Sequence, residues 1–286
     1  METWKEKIPT PALVLNYDKM EKNLKYMAEF VKETGVNLRQ HVKTAKIPLV
    51  AHMQMKIAGS AAKGIAVAKV GEAEVYAQAG FDDILIANQV IVPNHIERLM
   101  KLNKYTLTRC VVDSKKNISD LSEWAEKLNV ELEVLIDIDL GMGRTGVKPG
   151  DAALELANFI KSQPGLNLVG LQGYEGHLTP QTDYELRKEQ TVEAMHELIA
   201  TRDLINNNGF SIDYLSVSGS GTFMFSAKID GITEIQPGTY VFGDEHIKRV
   251  VPEFKTAVTV LGTVQSSTGK RLFTLDAGTK AFPTGD

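Results

Sequence analysis

Cysteine is nearly absent: Cys110 is the only one in 286 residues. No intrachain disulfide can form, which fits a reducing compartment. Its context, Arg109-Cys110-Val111-Val112, reads as a buried strand and makes it a packed thiol rather than a nucleophile. No apolar run approaches the ~20 residues that a membrane helix needs. The opening residues Met1-Glu2-Thr3-Trp4-Lys5-Glu6 hold no apolar signal core. Cytoplasm is therefore the expected location. There is no basic stripe, and the formal net charge is -4, so nothing suggests nucleic acid or a membrane as partner. A local phosphate site stays open, because backbone amides bind phosphate without raising net charge. No low-complexity tract and no repeat beyond strand–helix alternation is present.

That alternation is what the sequence does have. Leu13-Val14-Leu15 is a short apolar strand. Positions 17–34 carry helical spacing (Met20, Leu24, Met27, Phe30, Val31), closed by Gly35. Counting from Asn37, about eight strands follow, separated by helical segments. Nearly continuous apolar strands with helices between them imply a parallel sheet covered on both faces. Eight such units close into a (β/α)8 TIM-type barrel, which takes roughly 250 residues. An open doubly wound sheet is the alternative, but it usually places a Gly-rich dinucleotide turn after its first strand, and none occurs here. From Phe254 onward the pattern turns β-rich without helices. Residues 10–250 are expected to form the barrel and 251–286 the start of an all-β domain. Residues 1–15 either join that domain or lead into the barrel. Two strands would leave raw edges, so the chain is expected to be a fragment of a longer protein.

In such a barrel the chemistry sits at the C-terminal ends of the strands. After the first comes Arg39-Gln40-His41-Val42-Lys43-Thr44-Ala45-Lys46. A lysine pointing inward there has its ammonium form destabilised by desolvation, favouring the neutral amine that attacks a carbonyl. A solvated surface lysine is the bland alternative. After the fifth strand, Asp139-Leu140-Gly141-Met142-Gly143-Arg144-Thr145-Gly146 is a tight glycine loop presenting Arg144. After the sixth, Tyr174 and His177 can stack on a flat ring or move a proton, or simply pack together. After the seventh and eighth come Ser218-Gly219-Ser220-Gly221-Thr222 and Gln236-Pro237-Gly238-Thr239-Tyr240. Small residues before a helix start make an anion pocket of backbone N–H groups, and barrels often place phosphate at these two loops. A phosphate grip, a flat-ring environment and an amine together describe pyridoxal 5'-phosphate.

These loops, in this order, resemble fold-type III pyridoxal phosphate enzymes, D-threonine aldolase and D-serine dehydratase in particular, which share the alanine racemase N-terminal domain. Arg39-x-His41-x-Lys43-Thr44-x-Lys46 looks like their cofactor-lysine segment, and Asp139-x-Gly141-Met142-Gly143-Arg144-x-Gly146-Val147 like their arginine loop. Asp276-Ala277-Gly278-x-Lys280 resembles their entry into a C-terminal β domain. The resemblance implies that Lys43 is covalently joined to the cofactor and that Arg144 bonds the ring 3-oxygen. It puts Tyr174 and His177 near ring or substrate, with Lys43 and His177 as catalytic residues. Ser218, Gly219, Gly221, Thr222, Gly238, Thr239 and Tyr240 would hold phosphate. Gln236 falls where alanine racemases place an arginine facing the pyridine nitrogen. Ala45 departs from the pattern, since relatives carry a second histidine there. Relatives also bind a divalent metal through C-terminal residues, so any metal ligands here are expected beyond residue 286. A homodimer is implied by analogy.

The leading expectation is a lyase that cleaves β-hydroxy-D-amino acids to glycine and an aldehyde. D-serine dehydratase or racemase chemistry on the same scaffold differs only in which bond at Cα breaks. A non-catalytic pyridoxal phosphate carrier and a sugar-phosphate barrel enzyme are the readings from other classes.

Overall fold

The computed structural model describes residues 4–269 and 271–282. Residues 1–3, 270 and 283–286, parts of the spans assigned above to the β domain and its N-terminal join, lie outside the described residues. A short 3-10 turn (Trp4–Lys7) precedes β1 (Ala12–Leu15) and α1 (Tyr17–Thr34). Asn16 accepts the Lys19 N–H and so starts α1. Met20, Leu24, Met27 and Val31 form its buried face, each contributing about 1.5–3 kcal/mol relative to exposure. Gly35, at φ 74°, ends it by turning its N–H to the Val31 carbonyl, a conformation only glycine adopts freely.

Then β2 (Asn37–His41), α2 (Pro48–Ala58), β3 (Ala62–Val67), α3 (Val70–Gln78), β4 (Asp83–Gln89), α4 (Pro93–Asn103), β5 (Leu107–Val112), α5 (Lys115–Leu128), β6 (Leu132–Ile138), α6 (Asp151–Lys161), β7 (Leu166–Gly173), α7 (Tyr184–Asn207), β8 (Tyr214–Val217), α8 (Phe223–Ser226) and β9 (Glu234–Ile235) follow. Strands β2 to β9 are parallel neighbours in sequence order, and β9 pairs back to β2 to close the barrel. The expected TIM-type architecture is present. The large hydrophobic core lies between strands and helices. Cys110 is fully buried in it, and burial pushes its thiol up to about 12.

Inside the barrel the layers alternate in character. Arg39, Asp83, Arg109, Glu133 and Glu234 form an ionic network near the strand starts. Leu85, Val111 and Leu135 make a small apolar middle layer. Above it come His41, Asp137, Gln172 and Gln236, all buried.

Beyond β9 the structure adds α9 (Glu245–Val250), which the sequence reading missed, started by Asp244 accepting the Ile247 N–H. Phe254 is fully buried against Tyr26, Phe223 and Tyr240, so it packs with the barrel. β10 (Val258–Leu261) pairs antiparallel with β1, and β11 (Val264–Ser267) with β12 (Phe273–Leu275). Asp276 accepts from Thr10 Oγ1 at 2.6 Å and Thr263 N at 2.7 Å, tying the two ends together. Among the described residues no helix is long and apolar enough to cross a membrane.

Candidate active site

A cavity opens at the C-terminal ends of the barrel strands. Its lining includes eight of the expected site residues: Lys43, Arg144, Tyr174, Ser218, Gly219, Gln236, Gly238 and Thr239. Lys43 stands two residues past β2. Its amine lies 5.7 Å from the Tyr174 ring centroid, as does the Arg144 guanidinium carbon. Lys43 is open to the cavity, yet burial of its surroundings, then Arg144, hold its pKa below the usual lysine value.

Arg144 is delivered by a loop folded back on the barrel. Val147 N donates to Asp137 O and Asp139 N to Val147 O, closing the loop at its base. Asp139 Oδ1 accepts the N–H groups of Gly141 and Gly143 at 3.2 and 2.9 Å. A side chain at Gly146 would meet Asp139 N at 2.7 Å, so the turn needs glycine.

The two small-residue loops follow the paired strands β8 and β9 and lie side by side in the cavity wall, joined where Tyr240 N donates to Ser220 Oγ at 2.9 Å. The backbone N–H groups of Ser220, Gly221 and Gly238 have no acceptor among the described residues. A Cβ at Gly238 would sit 2.7 Å from the His41 carbonyl, and one at Gly219 3.0 Å from the Tyr174 ring. Ser218 is held at φ 64°. Its hydroxyl donates to Glu175 Oε1 at 2.7 Å, and burial raises the Glu175 pKa. Free N–H donors, the Thr239 hydroxyl and bare glycine backbone suit a phosphate. The Lys43 amine on the same cavity suits an aldehyde. The residues present therefore fit pyridoxal phosphate.

Four expected residues stand outside this lining. His177 is exposed on the turn after Tyr174, its ring against Gly141, where a Cβ would approach it to 3.3 Å. A Cβ at Gly221 would meet the Thr179 side chain at 2.9 Å, so that residue packs under the loop. Thr222 is fully buried and turns its hydroxyl to Gly219 N and to Glu175. Tyr240 is buried with its hydroxyl accepting from Gln54 Nε2, and only its backbone N–H reaches the loop, through Ser220 Oγ at 2.9 Å. Conversely, His41, Gln172 and Ser220 line the cavity without having been assigned to it. Strand period gave a signal for His41, which shares the inward face with Lys43 two residues on. Gln172 is the polar residue in the apolar run that ends β7. Burial first, then Lys43 and Arg144, lower the His41 pKa to about 3, so its ring is neutral.

A family model described as "Alanine racemase, N-terminal domain" matches residues 15–246. The chain belongs to that family. Within it, the chain is 33% identical over 285 residues to a 3-hydroxy-D-aspartate aldolase of Paracoccus denitrificans, covering 96% of this chain and 73% of the relative. It is 32% identical to a D-threonine aldolase of an Arthrobacter species, with the same two coverages. Among solved structures, D-threonine aldolase from Filomicrobium marinum superimposes with a TM-score of 0.92 at 35% identity, over 96% of this chain and 74% of that one. Among the described residues no group of three or more His, Cys, Asp or Glu is placed to hold a metal.

Proposed function

We propose that this protein is a pyridoxal phosphate-dependent lyase that cleaves β-hydroxy-D-amino acids to glycine and an aldehyde, as D-threonine aldolase does. One observation carries the reading: the Lys43 amine, Arg144 and Tyr174 line the same cavity as the small-residue loops with their free N–H donors. The names of the relatives at about a third identity support it. When bound, the cofactor ring supplies an electron sink for the pair released as a bond at the substrate Cα breaks.

Lys43 is the attachment point, and its lowered pKa keeps a share of the amine neutral and nucleophilic. The N–H groups of Ser220, Gly221 and Gly238 and the Thr239 hydroxyl bind phosphate, with Ser218, Gly219, Thr222 and Tyr240 shaping that loop pair. Arg144 would donate to the ring oxygen beside the aldehyde, and Tyr174 would pack on the ring. Gln236, at the barrel axis, would meet the ring nitrogen. His177, expected as a catalytic residue, stands exposed on the turn outside this lining, against Gly141 of the Arg144 loop. The barrel, within residues 10–250, carries this site, and β1 with β10, β11 and β12 is assigned to a second β unit. The reading extends to a cytoplasmic location, as expected from the sequence, and by analogy alone to a homodimer.

Purified protein mixed with pyridoxal phosphate should absorb in the visible range, and Lys43→Ala should abolish the band. An unchanged band in the variant refutes the assignment. D-threonine, assayed both with and without added divalent metal, should yield glycine and an aldehyde in at least one of the two. Release of pyruvate from D-serine with no aldehyde from D-threonine moves the protein to the dehydratases.

A further inference from the structure

The polar atoms at the barrel axis form one connected chain, and its direction follows from its ends. Gln236 Nε2 donates to Gln172 Oε1 at 3.1 Å and to Ser216 Oγ at 2.9 Å. The oxygen and nitrogen of an amide are nearly identical in shape, so the partners must decide which points where. Gln172 Nε2 donates to Asp137 Oδ1 at 3.0 Å. Asp137 Oδ2 accepts Gln89 Nε2 and the Thr145 hydroxyl, both at 2.9 Å. Burial raises the Asp137 pKa, and these three donors pull it the other way. With donors on both oxygens, Asp137 acts here as an acceptor. Gln172 must therefore give Asp137 its NH2 and turn its carbonyl to Gln236.

The other end of the chain is fixed in the same way. The Ser216 hydroxyl donates to Glu234 Oε1. Glu234 Oε1 also accepts from Tyr214 Oη at 2.7 Å and Arg39 Nε at 2.9 Å. Ser216 has one hydrogen, so it meets Gln236 with a lone pair. Both neighbours of Gln236 accept, and both hydrogens of its NH2 are committed. What remains for the cavity is the carbonyl Oε1, which has no partner among the described residues.

We propose that Gln236 Oε1 accepts a hydrogen bond from a protonated ring nitrogen, so the site holds the cofactor ring as a pyridinium. This rests on the pyridoxal phosphate reading above, in which Gln236 faces that nitrogen. A bare pyridine nitrogen brings a lone pair, and two acceptors opposed in a buried place leave both unsatisfied. A proton there deepens the ring's pull on the electron pair, which bond cleavage at Cα demands. Asp137, Gln172, Ser216 and Glu234 act as positioning residues that fix the Gln236 amide.

The test is 15N NMR of the full chain loaded with ring-15N-labelled pyridoxal phosphate, followed over pH. The nitrogen should stay protonated through neutrality. Gln236→Met keeps the volume and removes the acceptor, and should move the titration down by about one pH unit or more, a tenfold change or greater. Ser216→Ala frees one Gln236 N–H, lets the amide turn, and should give an intermediate shift. Should Gln236→Met fail to fold, Ser216→Ala and the wild type still decide. A bare nitrogen at neutral pH in the wild type, or variants titrating as the wild type does, overturns the proposal. Absence of any Lys43-dependent visible band overturns the cofactor reading and this proposal with it. A Lys43-dependent band with a bare nitrogen overturns the Gln236 proposal alone.

Discussion

Arg39 Nε bonds both carboxylate oxygens of Glu234, at 2.9 and 3.0 Å, with each side chain 2% exposed. The two residues are 195 positions apart. They are neighbours because β9 pairs with β2. Burial works against the charge of Arg39, but Glu234, Tyr214 and Asp83 more than offset it and raise its pKa. The pair thus sits on the seam where the barrel closes.

Removing one partner strands the other. Arg39→Met leaves Glu234 buried without its cation, and a loss of about 3–5 kcal/mol is expected. Arg39→Met combined with Glu234→Gln should recover part of it, because no lone charge remains. Urea unfolding of both variants measures this. A single-variant loss below about 1 kcal/mol would put the pair among the dispensable ones.

Gly238 touches the lysine segment directly. A methyl group there would lie 2.7 Å from the His41 carbonyl and 3.1 Å from Thr44 Oγ1. Gly238→Ala should push that segment aside and weaken pyridoxal phosphate binding by about tenfold or more, roughly 1.4 kcal/mol. Gly209→Ala is the control: φ is +87° with nothing within 4 Å of the added group. It should cost stability and leave the affinity unchanged. Equal affinities in the two variants would contradict the contact argument.

His41 gives the fold an acid sensitivity. Its folded pKa is about 3, while an unfolded histidine titrates near 6.5. Between those values the unfolded chain takes up a proton that the folded chain does not. The stability from neutral His41 is therefore complete above about pH 6.5 and is lost as pH falls toward about 3. The slope is at most about 1.4 kcal/mol per pH unit. His41→Asn should flatten the fall in urea midpoint across that window. Parallel curves for wild type and variant would rule this out.

The barrel was legible because local signals agreed with the global fold. Tyr17–Thr34 has a buried row at helical spacing and a glycine stop, and the structure reproduces those limits. The loops of Gly219 and Gly238 were legible as cavity lining because close packing there needs bare backbone. α9 was not, since Glu245–Val250 is six residues with too short an apolar row to show a period. The Arg39, Asp83, Arg109, Glu133 and Glu234 network was hidden for another reason. Each residue reads as an ordinary strand charge, and only ring closure brings them together. The outward Tyr240 side chain was equally hidden, because a loop sequence does not say which way its aromatic turns.

The antiparallel pairing of Ala12–Leu15 with Val258–Leu261 has a consequence for biosynthesis. A ribosome releases Ala12–Leu15 before any barrel strand, yet its partner is translated only after every barrel strand has been made. This early β segment is thus among the last to gain its native neighbour.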